Sequence, residues 1–225
     1  MKFNGKRIKE DGKYQKHEAY KISQNRTICF KEEQEDGSVD TVELEISLGE
    51  NQEAIFSEEY KPKMIDVSKM VDITVFLYYI TEKQCIDTDG QACLYLYDVK
   101  DTIGGKDVIF HLIEQWKAGI TSALDFTRYI GDTKYRIGVI TRDYNVERVE
   151  KEITKCEEEI KKLDFREDMP KLIMAKNSSR KMVAIQELKI LKDFKNMAFY
   201  KGNQKYTYDY MLLDEHNFCK FEISF

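Results

Sequence analysis

Residues 72–100 read DITVFLYYITEKQCIDTDGQACLYLYDVK: two apolar runs separated by a polar stretch. Each run is rich in Ile, Val, Leu, Tyr and Phe, which suits central strands covered on both faces. Asp89-Gly90 marks a turn between them, so 72–81 and 92–100 are expected to pair antiparallel. The second run ends on Asp98 and Lys100, two residues apart and therefore on one face of the strand. In an antiparallel pair the start of the first run lies beside the end of the second, which brings Asp72 toward that pair. A slip of one residue would turn Asp72 to the opposite face, so the register decides whether the three side chains meet.

Downstream, Ile109, Ile113, Trp116, Ile120 and Ala123 recur at three- and four-residue steps and predict a helix over 107–130. KYRIGVIT (134–141) reads as a strand. A second helix, about 145–163, carries Val146, Val149, Ile153, Cys156, Ile160 and Leu163 on a narrow stripe among Glu–Lys pairs. With fewer than three heptads, that stripe fits a helix lying on a sheet better than a coiled-coil seam. Past Pro170, KLIMA (171–175) reads as a strand, KNSSRK (176–181) as a polar loop and MVAIQELKILKDF (182–194) as a helix. MAFYK, KYTYDYMLL and FCKFEISF read as closing strands, with a Gly-Asn turn after the first.

Upstream, the first 20 residues are polar and read as an arm, and RTICFKEEQEDGSVDTVELEISL (26–48) reads as a β-hairpin with alternating Val42, Leu44 and Ile46. GENQEAIFSEEYKPKMIDVSKMV (49–71) is interrupted by Pro62 and reads ambiguously, with room for one short helix. The expected organisation is an N-terminal arm and hairpin appendage over 1–60 and an α/β core over 61–225. The fold class is α/β (α+β), a central mixed sheet with flanking helices plus N-terminal and C-terminal β-hairpins.

Composition narrows the function. The chain has 225 residues, 42% hydrophobic and 34% charged, with 14 Tyr and 12 Phe, enough for a sizeable core. A net charge of −5 argues against a protein held on nucleic acid by overall charge, and leaves room for a local basic surface. Five cysteines and three histidines are dispersed with no Cys-x-x-Cys pair, against a structural zinc site or a disulfide framework. No apolar signal segment or membrane-length run is present, so the expected location is cytoplasmic, without membrane contact.

Two carboxylates converging beside a lysine suit a hard, oxygen-seeking divalent cation such as Mg²⁺ and a phosphodiester substrate. Without the cation the carboxylates repel, and one pKa rises. An aspartate at the start of one strand, Asp98-Val99-Lys100 on its hairpin partner, then a helix and a crossover strand, resembles the PD-(D/E)XK nuclease superfamily over residues 70–142. The resemblance implies a nuclease-like fold and a Mg²⁺- or Mn²⁺-dependent endonuclease. It makes Asp72 and Asp98 metal ligands, Lys100 the residue assisting the attacking water, and Gln115 a helix residue facing the site. Thr102 is in keeping with it, and Glu58 or Glu59 could add a ligand. His111, Gln115, Gly119 and Ser122 form the polar stripe on which Gln115 lies. Two positions depart from the pattern: Val71 stands where a proline is usual, and Gly119 where glutamine-bearing branches have tyrosine. The resemblance also implies nucleic acid as the partner, DNA ahead of RNA, and a role in restriction, repair or antiviral defence.

Plainer readings stand beside these. Asp98, Lys100 and Asp101 also suit a strand end meeting water. Lys176, Ser178, Arg180 and Lys181 could grip phosphates, or simply solvate a surface loop. Tyr206, Tyr208 and Tyr210 could stack bases, or pack against a helix. The alternative function is a non-catalytic protein-interaction module, a subunit or inhibitor of a nucleic-acid-processing or defence complex.

Overall fold

The computed structural model describes residues 19–33, 37–58, 71–82, 87, 90–127, 132–163 and 171–225. Its centre is the expected hairpin. Strand β5 (Ile73–Tyr79) pairs antiparallel with β6 (Gln91–Ile103), with Ile73 opposite Tyr97 and Phe76 opposite Leu94. Residues 92–99 are all buried, as expected of a strand apolar on both faces. Helix α1 (Lys106–Thr127) then returns the chain, and β7 (Asp132–Tyr144) runs parallel to β6 along nearly its whole length. On the other flank β4 (Gln52–Glu58) pairs antiparallel with β5, and β1 (Ala19–Ile22) with β4. With β10 (Asp209–Leu212) parallel to β7, the six-stranded mixed sheet has the order β1-β4-β5-β6-β7-β10.

Alternation along the strands sorts the core into two layers. Phe76, Leu94, Leu96, Ile137 and Val139 face the helices and meet Ile109, Leu112, Ile113 and Trp116 of α1. Val75, Leu77, Cys93, Tyr95, Tyr97 and Ile140 face the other way, onto a second sheet. That sheet has the order β11-β3-β2, built from the hairpin β2 (Arg26–Glu33) and β3 (Val39–Ile46) with β11 (Phe218–Ile223) parallel to β3. The result is three layers, helices on sheet on sheet. The mixed α/β class and the N-terminal hairpin are as expected.

Several expectations are corrected. The ambiguous segment after residue 49 holds strand β4 as far as Glu58, and Glu59 to Met70 lie outside the described residues. Across residue 60, β4 pairs with β5 along its length and β3 pairs with β11. Residues 171–195 form one helix, α3, where a strand, a loop and a helix were expected. That stretch has neither Gly nor Pro, and the Ser179 hydroxyl donates to the Ala175 carbonyl at 3.2 Å, so its serines fold into the helix. Helix α2 (Val146–Lys162) packs its stripe on α3 as well as the sheet, tied by Glu157–Lys192 and Glu150–Lys195 pairs, each at 2.7 Å.

The chain end also differs. KYTYDYMLL splits at Tyr208: β8 (Ala198–Lys201) and β9 (Gln204–Thr207) make a hairpin whose turn uses Gly202 at φ +58°, and β10 leaves for the large sheet. Tyr208 is drawn inward by Trp116 and Phe194, with ring centroids 4.8 Å away in both cases. Strands β10 and β11 therefore pair with β7 and β3, not with each other. Of the tyrosine repeat, Tyr208 packs against the helices, while buried Tyr206 meets Tyr135 and Phe199 on strands and Tyr210 stacks on Tyr144 of β7 at 4.6 Å.

Candidate functional site

One step beyond the Ile73–Tyr97 pair, the register brings Asp72 level with Asp98. Both positions share parity with Phe76, Leu94 and Leu96, so both carboxylates lie on the helix-facing side of the sheet. Asp72 Oδ2 accepts from the Val99 amide at 2.8 Å and from Lys100 Nζ at 3.3 Å. Lys100 Nζ also stands 3.7 Å from Asp98 Oδ1. The three side chains thus meet, with the ammonium between the two carboxylates.

Their exposure is graded. Side-chain accessibility is 22% for Lys100, 13% for Asp72 and 0% for Asp98. Neither oxygen of Asp98 has a hydrogen-bond partner. Burial first, and the Asp72 carboxylate next, push the Asp98 carboxyl well above the usual range, while Lys100 pulls the other way. A fully buried carboxyl with Lys100 Nζ no nearer than 3.7 Å and a second carboxylate beside it is destabilising by itself. That arrangement fits a bound divalent cation, which would cancel the repulsion. The donor set suits Mg²⁺, which is held through one or two carboxylates and keeps several waters. Among the described residues no group of three or more His, Cys, Asp or Glu gathers as a metal cage. Glu58 ends β4, and Glu59 lies outside the described residues.

Gln115 is buried on α1. Gly119, one turn on, lies so close to the sheet that an added Cβ would meet Val71 Cγ1 at 3.0 Å and Leu96 Cδ1 at 3.4 Å. Because α1 runs antiparallel to β6, one turn back along α1 (about 5–6 Å) matches two residues forward along β6 (about 7 Å). Gln115 therefore comes level with Asp98. At 119 the helix touches Val71, the residue before Asp72, and this close approach leaves no room for a large side chain.

A second charged group at this end of the sheet carried no motif. Arg142 of β7 donates through Nε and Nη2 to Asp40 Oδ1 at 2.8 and 2.6 Å, donates to the Ser38 hydroxyl, and stands 3.4 Å from Asp101 Oδ1. Asp40 is fully buried on β3. The alternation of Val42, Leu44 and Ile46, continued one step back, lands on Asp40, and that signal marks it as inward-facing. This cluster clamps the two sheets together behind Asp98 and Lys100. Thr102 stays at the strand end, its hydroxyl donating to Asp101 Oδ2 at 3.5 Å.

Lys176, Ser178, Arg180 and Lys181 are not in a phosphate-gripping loop but in the N-terminal half of α3, with Lys176, Ser178 and Arg180 exposed. No helix among the described residues is long and apolar enough to cross a membrane. No family model, curated protein or solved structure matches this chain.

Proposed function

We propose that the chain is a Mg²⁺- or Mn²⁺-dependent nuclease-like protein of the PD-(D/E)XK kind, hydrolysing phosphodiesters of nucleic acid, with DNA ahead of RNA. The observation that carries the reading is the Asp72–Lys100–Asp98 group: two carboxylates on paired strands, one of them buried without a hydrogen bond, and a lysine between them. The order of elements supports it: an antiparallel pair, a returning helix, then a strand parallel to the second member of the pair. Asp72 and Asp98 would hold the cation, which would supply charge stabilisation at the phosphoryl group and activation of water. Lys100, the most accessible of the three, meets the scissile phosphate and offsets charge that develops there. Gln115 orients groups from the helix side. The biological setting, whether restriction, repair or antiviral defence, follows from the resemblance alone.

The test combines melting and cleavage. Millimolar Mg²⁺ or Mn²⁺ should raise the melting temperature by mass action, and Asp98→Asn should remove that rise. Plasmid and single-stranded substrates should be cut with the metal and left intact in EDTA. A protein whose melting ignores both metals and which cuts neither substrate, yet retains a protein partner in pull-down, is instead the non-catalytic interaction module.

A further inference from the structure

Helices α1 and α3 run side by side in the same direction. Lys106, in the first turn of α1, reaches Glu187 at 2.8 Å, and Trp116 farther along α1 stacks with Phe194 at 6.4 Å. Residues of α3 before about 184 therefore run past the first turn of α1. That turn follows directly on the end of β6, so this half of α3 overhangs the end of the sheet toward which Lys100 and Asp101 point the way out. About 12 residues at 1.5 Å rise make an arm about 18 Å long. From 175 to 183 no residue is buried, and burial begins at Ala184.

The arm's composition differs from that of the chain. With 41 Asp and Glu in the protein and a net charge of −5, the run from Met169 to Gln186 contains no acid and carries Lys171, Lys176, Arg180 and Lys181. Lys176, Arg180 and Val183 follow one another at four- and three-residue steps and share a face. Ser178, Met182 and Ile185 share the next. Met182, Val183 and Ile185 are 62%, 53% and 48% exposed, apolar surface set beside the cations of the same arm.

We propose that this arm lies in a groove of double-stranded nucleic acid, Lys176 and Arg180 meeting phosphates while Val183 and Met182 touch the groove walls. The inference rests on the proposed function for its expectation of nucleic acid. Charge complementarity selects the occupant: an arm with four cations and no acid, on a protein of net charge −5, complements a polyanion. Shape agrees, since a helix about 10–12 Å across enters a major groove about 12 Å wide. The arm would supply grip that the candidate site, with a single lysine, does not.

The test is binding of a fluorescent 20-base-pair DNA duplex by the full chain in EDTA, so that neither metal nor cleavage enters. Lys176→Glu with Arg180→Glu should raise Kd at least tenfold at moderate salt and lower the slope of log K against log salt by about 1.8, two phosphate contacts' worth. Melting should be unchanged, because both residues are exposed. Lys151→Glu with Lys155→Glu on α2, the same charge change elsewhere, should alter binding much less. Equal loss in both variants, an unchanged salt slope, or no duplex binding by the parent overturns the proposal. So does arm-dependent binding to phosphatidylserine vesicles with duplex binding intact, or arm-dependent capture of a protein partner alone. Cleavage is not read in this assay, so a silent metal site leaves the arm standing, and an active nuclease with an indifferent arm refutes the arm alone.

Discussion

Asp72 Oδ2 accepts the backbone amide of Val99 at 2.8 Å, so the first acid is fixed to the strand that carries the second. The bond lies one step past the last ladder pair, Ile73–Tyr97, where a strand would otherwise fray. It commits one oxygen of Asp72 to the backbone and aims the carboxylate at Lys100. Asp98, opposite, is fully buried, and burial with the neighbouring Asp72 carboxylate pushes its carboxyl well above the usual range.

Asp98→Asn should stabilise the metal-free protein at neutral pH. The folded-state pKa of Asp98 is raised, so between its ordinary value and the raised one the folded chain holds more protons than the unfolded chain. Stability from this group is therefore present at low pH and lost as pH rises through that window. Asparagine removes the titration and the buried charge. In EDTA the variant should melt higher at pH 7–8, by about 2–4 °C for each kcal/mol relieved, with the difference shrinking toward pH 4. A variant that melts lower than the parent at pH 8 would contradict the site as described.

Arg142→Ala should be strongly destabilising, about 3–5 kcal/mol, because it takes from the fully buried Asp40 carboxylate a guanidinium held at 2.6 Å. Urea unfolding should show the loss. The double change with Asp40→Ala should cost clearly less than the two single effects summed, since the orphaned charge is then gone.

Gly119→Tyr should displace α1 from the sheet. Even a Cβ at 119 approaches Val71 to 3.0 Å, and a full ring in that packed seam costs at least 1–3 kcal/mol of overpacking. Melting should fall, and any response to Mg²⁺ should weaken with it, because Val71 precedes Asp72.

What the sequence revealed and what it hid divide along the range of the forces involved. The β5–β6 pair was legible because both runs are apolar on both faces and one turn joins them. Parity alone then put Asp98 and Lys100 together, and the register added Asp72. Helix α3 was misread because Lys176-Asn177-Ser178-Ser179-Arg180-Lys181 has the composition of a loop, while helix formation there depends on the uninterrupted run on either side. The Asp40–Arg142 pair spans 102 residues of chain, and no local pattern announces its second member. The parting of β10 and β11 into two sheets was hidden for the same reason: their partners, β7 and β3, lie far upstream.

Truncation after residue 205 should abolish cooperative folding. It removes Tyr208 from between Trp116 and Phe194, and β11 from the second sheet, where Ile223 is fully buried. Exposed apolar surface on both layers should make the shortened chain aggregate. A soluble product with an unchanged melting transition would refute this.

Catalysis gives the most discriminating prediction, because the site's residues differ in what they contribute to folding. Lys100→Ala should lower the rate of DNA cleavage by about two to three powers of ten, the 3–4 kcal/mol lost when one preorganised charge-stabilising group is removed. It should leave the fold intact, since Lys100 is partly exposed at a strand end, although it removes the cation between Asp72 and Asp98 and so raises the Asp98 pKa further. Asp98→Asn should abolish cleavage altogether while raising metal-free stability. A residue that only ended a strand in water would show neither effect, and a purely structural ion pair would lose stability when either acid is changed. Loss of activity together with a gain in melting temperature, in one substitution at Asp98, separates a cation site from both. For Asp98→Asn, cleavage with Mg²⁺ should be lost while melting in EDTA rises, and lost cleavage together with lower melting in EDTA would sink the nuclease reading.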